Sequence, residues 1–248
     1  MAELKVTTGG VELHVEVDGP EGGTPLALIN PARSNLGVHT PIMERLAREH
    51  RVVRHDWRGT GRSSGGERAD YSFPQYADDL AAVLDAVGAQ TAVICGCAYG
   101  ARTAARFALR HPQRTLLLAL FDVSLDQPVD QRLQRDLMLE ARRLREEAGI
   151  GSPELDRGWF AHTHEREALR SLTAHNDQPD PTPELAELSA PTLVACGVQD
   201  ANLEEARRIA ALMPDAELHE MPMTSHPAVM SRPDLMADLL LDFIRRRG

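Results

Sequence analysis

The chain has 248 residues, 42% of them hydrophobic, which is enough to bury a substantial core as one α/β domain carrying a small insertion. Its net charge of −10 argues against non-specific nucleic-acid binding, which rests on clustered Lys and Arg, and favours small-molecule partners. No stretch approaches the ~20 apolar residues of a membrane span and Met1 to Val6 holds no apolar leader, so a cytoplasmic protein without membrane partners is expected. Cys95, Cys97 and Cys196, an odd number placed at predicted strand ends, suit reduced thiols better than a disulfide framework.

In chain order, Leu4 to Thr7 and Val11 to Asp18 read as antiparallel strands joined at Gly9-Gly10, a dipeptide that accepts positive φ, and they form a sheet edge. Pro25 to Asn30 is a buried strand, and Thr40 to Glu49 a helix with Pro41 in its first turn. Arg51 to His55 is the next strand, followed by a turn-rich loop from Asp56 to Ser64 in which Asp56 and Arg58 are expected to tie the backbone down. Phe73 to Val87 is an amphipathic helix between Pro74 and Gly88. Thr91 to Cys95 is a β-branched apolar run, Ala101 to Arg110 an Ala-rich helix, and only a sharp turn bracketed by Gly96 and Gly100 separates them. That strand-turn-helix is the stretch on which the chain is organised. Its spacing is that of G-x-S-x-G with alanine, Ala98, at the centre. Centring the motif on Cys97 instead would place Tyr99 where a small residue belongs, so Cys97 reads as a buried thiol.

Thr115 to Phe121 is a leucine-rich strand, with Asp122 just past its carboxyl end, where the sites of open α/β sheets gather. From about Ser124 to Leu188 the alternation breaks into a charged helix, Asp130 to Ala148, and a Pro- and Asp-rich segment, Asp177 to Pro183. Trp159 and Phe160 either face a pocket or pack this insertion on the core. His162 and His164 form an H-x-H pair, but no third ligand of sensible spacing accompanies them. They read as solvated histidines, and neither metal nor cofactor is expected. Strands resume at Thr192 to Cys196 and Glu217 to Met221, each followed by a helix, Asn202 to Leu212 and Ser231 to Arg247.

The elbow-like turn at Gly96–Gly100, the Asp56-Trp57-Arg58-Gly59-Thr60-Gly61-Arg62-Ser63 loop, Asp200 after one late strand and His226 after the last together resemble the α/β-hydrolase family across nearly the whole chain. The resemblance implies an α/β-hydrolase fold, a mostly parallel eight-stranded sheet flanked by helices. Its core would be residues 1–123 and 189–248 and its short helical cap residues 124–188. It implies that Asp200 orients His226 as a base, with Asp122 as the reserve acid, and that the N–H groups of Ala32 and Tyr99 form an oxyanion hole. Arg33, His39, Asp122, Trp159 and Phe160 are candidates to line the substrate pocket, whereas Arg102 reads as paired with a surface carboxylate.

Two positions depart from the family pattern: Asn30-Pro31 stands where His-Gly is usual, and Ala98 stands where the nucleophile belongs. A methyl group has no lone pair with which to attack a carbonyl. Three readings follow. The chain is an enzyme for a small ester, lactone or related carbonyl compound whose serine is replaced by alanine, natively or by engineering. Alternatively it is a natural His/Asp acid–base enzyme, such as a cofactor-free dioxygenase or lyase, or a non-catalytic small-molecule binder. A homodimer is compatible with all three.

Overall fold

The structure, a computed structural model, describes residues 1–66, 71–125, 130–163, 166 and 182–248. His164 and the stretch from Asp177 to Pro181 lie outside them. Eight strands form one sheet: β1 (Ala2–Thr8), β2 (Val11–Asp18), β3 (Thr24–Ile29), β4 (His50–His55), β5 (Ala92–Cys97), β6 (Thr115–Phe121), β7 (Thr192–Gln199) and β8 (Ala216–Ser225). Their order is β1-β2-β4-β3-β5-β6-β7-β8, with β1 and β2 antiparallel to their neighbours and the rest parallel. This is an α/β-hydrolase fold. Helices α1 (Thr40–Leu46), α2 (Phe73–Ala86), α3 (Tyr99–Arg110), α4 (Gln131–Glu147), α5 (Leu203–Leu212), α6 (Ala228–Ser231) and α7 (Pro233–Arg247) complete the described chain, with short 3-10 turns such as Leu36–His39 and Arg157–Phe160.

Side chains alternate between the two faces of the central strands, so a run that is apolar throughout feeds two cores. In β5, Ala92 and Ile94 join one layer and Val93, Cys95 and Cys97 the other; in β6, Leu118 and Leu120 face the first and Leu117, Ala119 and Phe121 the second. The first layer packs against α2, α3 and α5 through residues such as Leu80, Phe107 and Ile209. The second packs against α1 and α7 through Ile42, Leu46, Leu240 and Phe243.

Several element ends differ from the sequence reading for identifiable reasons. β5 continues through Gly96 and Cys97, so the bend begins at Ala98 and α3 at once after it. β8 runs on through Pro222 to Ser225, because it is the edge strand, where a residue without an N–H leaves no ladder bond unmade. The closing helix is two, α6 and α7, separated at Arg232 and restarted by Pro233. Between β6 and β7 the described residues are helical or irregular. α4 is capped by Asp130, whose carboxylate accepts from the N–H groups of Arg132 and Leu133, and it packs across the ends of β7 and β8.

Candidate active site

The turn at Ala98 is built by the two glycines that flank it. A β-carbon on Gly96 would stand 2.2 Å from the Gly100 carbonyl oxygen, and one on Gly100 would stand 2.3 Å from that of Ile29. Only hydrogen fits at either place, and the close approach lets α3 start directly over the end of β3. Ala98 itself takes φ 54° and ψ −115° while its N–H donates to the Phe121 carbonyl at 2.8 Å. Among the described residues three other non-glycine residues have positive φ: Arg33, Asp122 and Met223. Arg33 follows β3, Asp122 follows β6 and Met223 lies near the end of β8, so the strained backbone gathers at the carboxyl edge of the sheet, where such strain typically marks functional sites. Tyr99 does not crowd the turn. Its ring leaves it for an aromatic cluster, 5.0 Å from Trp57 and 4.8 Å from Phe73 between centroids.

At the same edge of the sheet, the loops after β7 and β8 bring Asp200 and His226 together. His226 Nδ1 lies 2.9 Å from Asp200 Oδ2, and the other carboxylate oxygen, Oδ1, accepts from Asn202 N–H at 2.9 Å. The carboxylate is buried and the imidazole is 28% exposed, so the acid is shielded and the base reaches the surface of the site. Burial pulls the His226 pKa down, but the hydrogen bond and charge of Asp200, helped by Asp122, outweigh it and raise the pKa above its ordinary value. The geometry holds the proton on Nδ1 and turns Nε2 outward.

Sequence reading missed Asn202, whose side-chain amide lies 3.3 Å from His226 Nδ1. With Nδ1–H committed to Asp200, the amide oxygen is the group that suits this place, and Asn202 Oδ1 is otherwise buried without a partner among the described residues. Its position two residues after the acid was the available signal.

The remaining predicted residues separate clearly. Asp122 is not the partner of the imidazole. Its carboxylate is fully buried and accepts from Ala228 N–H, from Gly197 N–H at 3.3 Å and from the Cys97 thiol at 3.6 Å, so it ties β5, β7 and α6 together instead of lining a pocket. Burial and then the nearby Asp200 push its pKa up to about 7. Cys97 is buried, and desolvation followed by the Asp122 charge holds its thiol well above the usual range, the opposite of an activated nucleophile. All three cysteines are free and buried.

Ala32 is half-buried, and the segment it belongs to meets the elbow where Gly100 touches the carbonyls of Ile29 and Asn30. Arg33 is exposed. His39 is buried with neither ring nitrogen partnered among the described residues. Burial and then Arg54 push its pKa down to about 3, so it is neutral. Trp159 is buried in the same apolar layer as Ala98 and rests on Gly37, whose added β-carbon would meet its ring at 3.2 Å. Phe160, by contrast, is 44% exposed, so it neither packs the insertion on the core nor is enclosed by it.

The segment from Arg157 to His162 is tied to the loops after β3 and β4 by polar contacts. Asn35 Nδ2 donates to the carbonyls of Gly158 and Ala161, and Asn35 N–H to that of Trp159. His162 is not a free solvated side chain, since its Nδ1 accepts from Gly61 N–H at 3.0 Å. The Asp56 loop has the structural role expected of it. Asp56 accepts from the N–H groups of Leu36 and Arg62, each at 2.8 Å, and Arg58 forms a buried bidentate pair with Asp79. Arg102 donates to the Ser124 carbonyl and lies over the Phe73 ring.

The sequence profile of the alpha/beta hydrolase family matches residues 33–239, which span α1 to α7, the elbow and both members of the Asp200–His226 pair. The chain belongs to the alpha/beta hydrolase family. Within that family, RutD of Variovorax paradoxus (strain S110), which bears the provisional name of carbamate hydrolase, is 28% identical over 94% of this chain and 96% of its own. The 2-hydroxy-6-oxononadienedioate/2-hydroxy-6-oxononatrienedioate hydrolase of Burkholderia vietnamiensis (strain G4) is 29% identical over 98% and 95%. Among solved alpha/beta hydrolase structures, the enol-lactonase of Burkholderia xenovorans LB400 superposes with a TM-score of 0.80 at 24% identity, covering 98% of this chain and 100% of that one. A thermophilic esterase from Thermogutta terrifontis superposes with 0.81 at 24% identity, covering 99% of each. These two likenesses establish the fold. As an alpha/beta hydrolase the chain is a hydrolase by family, and no helix among its described residues is long and apolar enough to cross a membrane.

Proposed function

We propose that this protein hydrolyses a small ester, lactone or carbamate by direct attack of water, with His226 as general base and no covalent intermediate. The observation that carries the reading is the 2.9 Å His226–Asp200 hydrogen bond, which leaves Nε2 free to take a proton, set beside an elbow whose central side chain is a methyl group. The substrate class rests on the named activities of the relatives. Residues 124–188 act in this reading as a cap over the site.

In this mechanism a water molecule occupies the space above Ala98. Its oxygen bonds to the carbonyl carbon while Nε2 removes its proton, and the carbonyl π pair moves onto oxygen. The N–H groups of Ala32 and Tyr99 donate to that oxyanion. The tetrahedral intermediate then collapses, expelling the leaving group, which receives its proton from the Nε2–H of the imidazolium. Asp200 remains ionised throughout and stabilises the transient positive ring. Asp122 is the counterweight behind this pair: a second buried carboxyl that favours the charged imidazole whenever it is itself ionised.

The test is His226→Gln, assayed on p-nitrophenyl acetate and on a small lactone. Loss of a general base lowers kcat by about 10²- to 10⁴-fold. A variant that binds and turns over both substrates at the parental rate would remove His226 from the chemistry.

A further inference from the structure

α4 lies on the surface, and among its residues only Ala141 and Arg145 are buried. They stand one turn apart, on one face. Arg145 is 5% exposed, which is unusual for a side chain that carries a permanent charge, and among the described residues no carboxylate lies within ion-pair distance of it. Its guanidinium is committed to neutral acceptors instead. Nη1 donates to the Met223 carbonyl at 2.7 Å and to Ser231 Oγ at 3.0 Å. Ser231 Oγ in turn accepts from Ser225 N–H at 3.0 Å and lies 3.2 Å from Ser225 Oγ. Ser225 is the residue before His226.

The loop gripped in this way is the one that must not move. Met223 holds φ 54°, a left-handed turn that a non-glycine residue keeps only when its surroundings enforce it, and the arginine binds the carbonyl of that residue. A guanidinium suits the task, because its planar fork reaches two acceptors without losing much freedom for each bond. About three turns upstream on the same helix, Gln134 Oε1 accepts from Ala201 N–H at 3.3 Å, beside Asp200. α4 therefore touches both loops of the dyad, the acid's through Gln134 and the base's through Arg145.

We propose that Arg145 is a positioning residue for His226, acting through Ser231 and Ser225 to hold the imidazole on Asp200, so that the insertion splints the dyad as well as covering it. The inference rests on His226 being the base, as argued above. The chain of bonds is continuous from the guanidinium to the backbone adjoining the imidazole, and it bypasses the substrate. Displacing a base by about 1 Å can cost on the order of 10²-fold in rate, so a contact this remote has leverage on kcat and little on substrate affinity.

The experiment uses the whole chain with Arg145→Met, Arg145→Lys and Ser231→Ala, read by thermal melting, by kcat and KM on p-nitrophenyl acetate, and by the low-field Nδ1–H proton resonance of His226 in ¹H–¹⁵N spectra. In folded Arg145→Met that resonance weakens or vanishes and kcat falls by about 10-fold or more with KM nearly unchanged; lysine restores part of both, and Ser231→Ala shifts both in the same direction by less. A folded Arg145→Met that keeps the resonance and kcat of the parent overturns the proposal. If the methionine variant does not fold, Ser231→Ala decides it by the same criterion. His226→Gln in parallel separates the two claims: parental kcat in that variant defeats the base assignment, whereas the Nδ1–H resonance of Arg145→Met, set against that of the parent, still reports on Arg145.

Discussion

The bend at Ala98 and the loop at His226 share one edge of the sheet, yet they are held in shape by different forces. At the bend the shape comes from excluded volume: two glycines admit no β-carbon, so the backbone turns sharply whatever side chain stands between them. At the loop the shape comes from directed hydrogen bonds, which Asp200 accepts from the ring Nδ1–H, Ser231 Oγ from the Ser225 N–H beside it and Asp122 from the Ala228 N–H. The comparison teaches that the bend needs no hydroxyl at its centre, because nothing in its geometry depends on the side chain at position 98. The dyad would not survive the loss of either partner.

Substitutions sharpen that contrast. Gly100→Ala forces a β-carbon against the Ile29 carbonyl and is expected to cost about 3 kcal/mol, read as a lower melting temperature. Ala98→Gly, two residues away, should instead leave the protein as stable or raise it by up to about 1 kcal/mol, since glycine removes the penalty of positive φ. Should both changes behave alike, the shape of the bend would not be a matter of glycine sterics.

On the dyad side the readout is pH. Because Asp200 raises the His226 pKa, the unprotonated base appears only above the ordinary histidine value of 6.5, and kcat/KM should climb with pH through a midpoint above that value. Asp200→Asn removes the favourable charge and leaves the opposing burial, so the midpoint moves to lower pH as kcat drops. An unmoved midpoint would mean that another group titrates.

A smaller effect isolates Asp122. Its pKa rises from 3.8 to about 7 on folding, so between those values the folded chain holds a proton that the unfolded chain has released. Stability contributed by this carboxyl therefore falls as pH rises across that window. Asp122→Asn keeps one acceptor oxygen, enough for the Ala228 or the Gly197 N–H but not both, so it lowers stability at all pH values while flattening that part of the denaturant-unfolding profile.

Much of this arrangement was legible in the sequence where a single residue type answers a local demand. Gly96 and Gly100 marked the elbow, and the leucines from Thr115 to Phe121 gave the strand residue for residue. Asp200 and His226 were found by their order and by their place after late strands. What the sequence did not disclose depends on contacts between distant segments. Nothing local in Arg145 distinguishes it from the exposed arginines Arg142 and Arg143 beside it, each paired with a glutamate four residues on. Only the docking of α4 on β8 makes it a buried donor. Asp122 is the converse case, a residue in an expected place whose carboxylate is consumed by backbone N–H groups before it can serve the imidazole.

Hydrolysis by water alone is tested most directly by intact-protein mass spectrometry on samples quenched during turnover of p-nitrophenyl acetate, beside Ala98→Ser treated identically. The parental chain should keep its unmodified mass while product accumulates, and the serine variant should gain one acetyl group in a burst. An acetyl group carried by the parental chain at a rate that matches turnover would contradict the account.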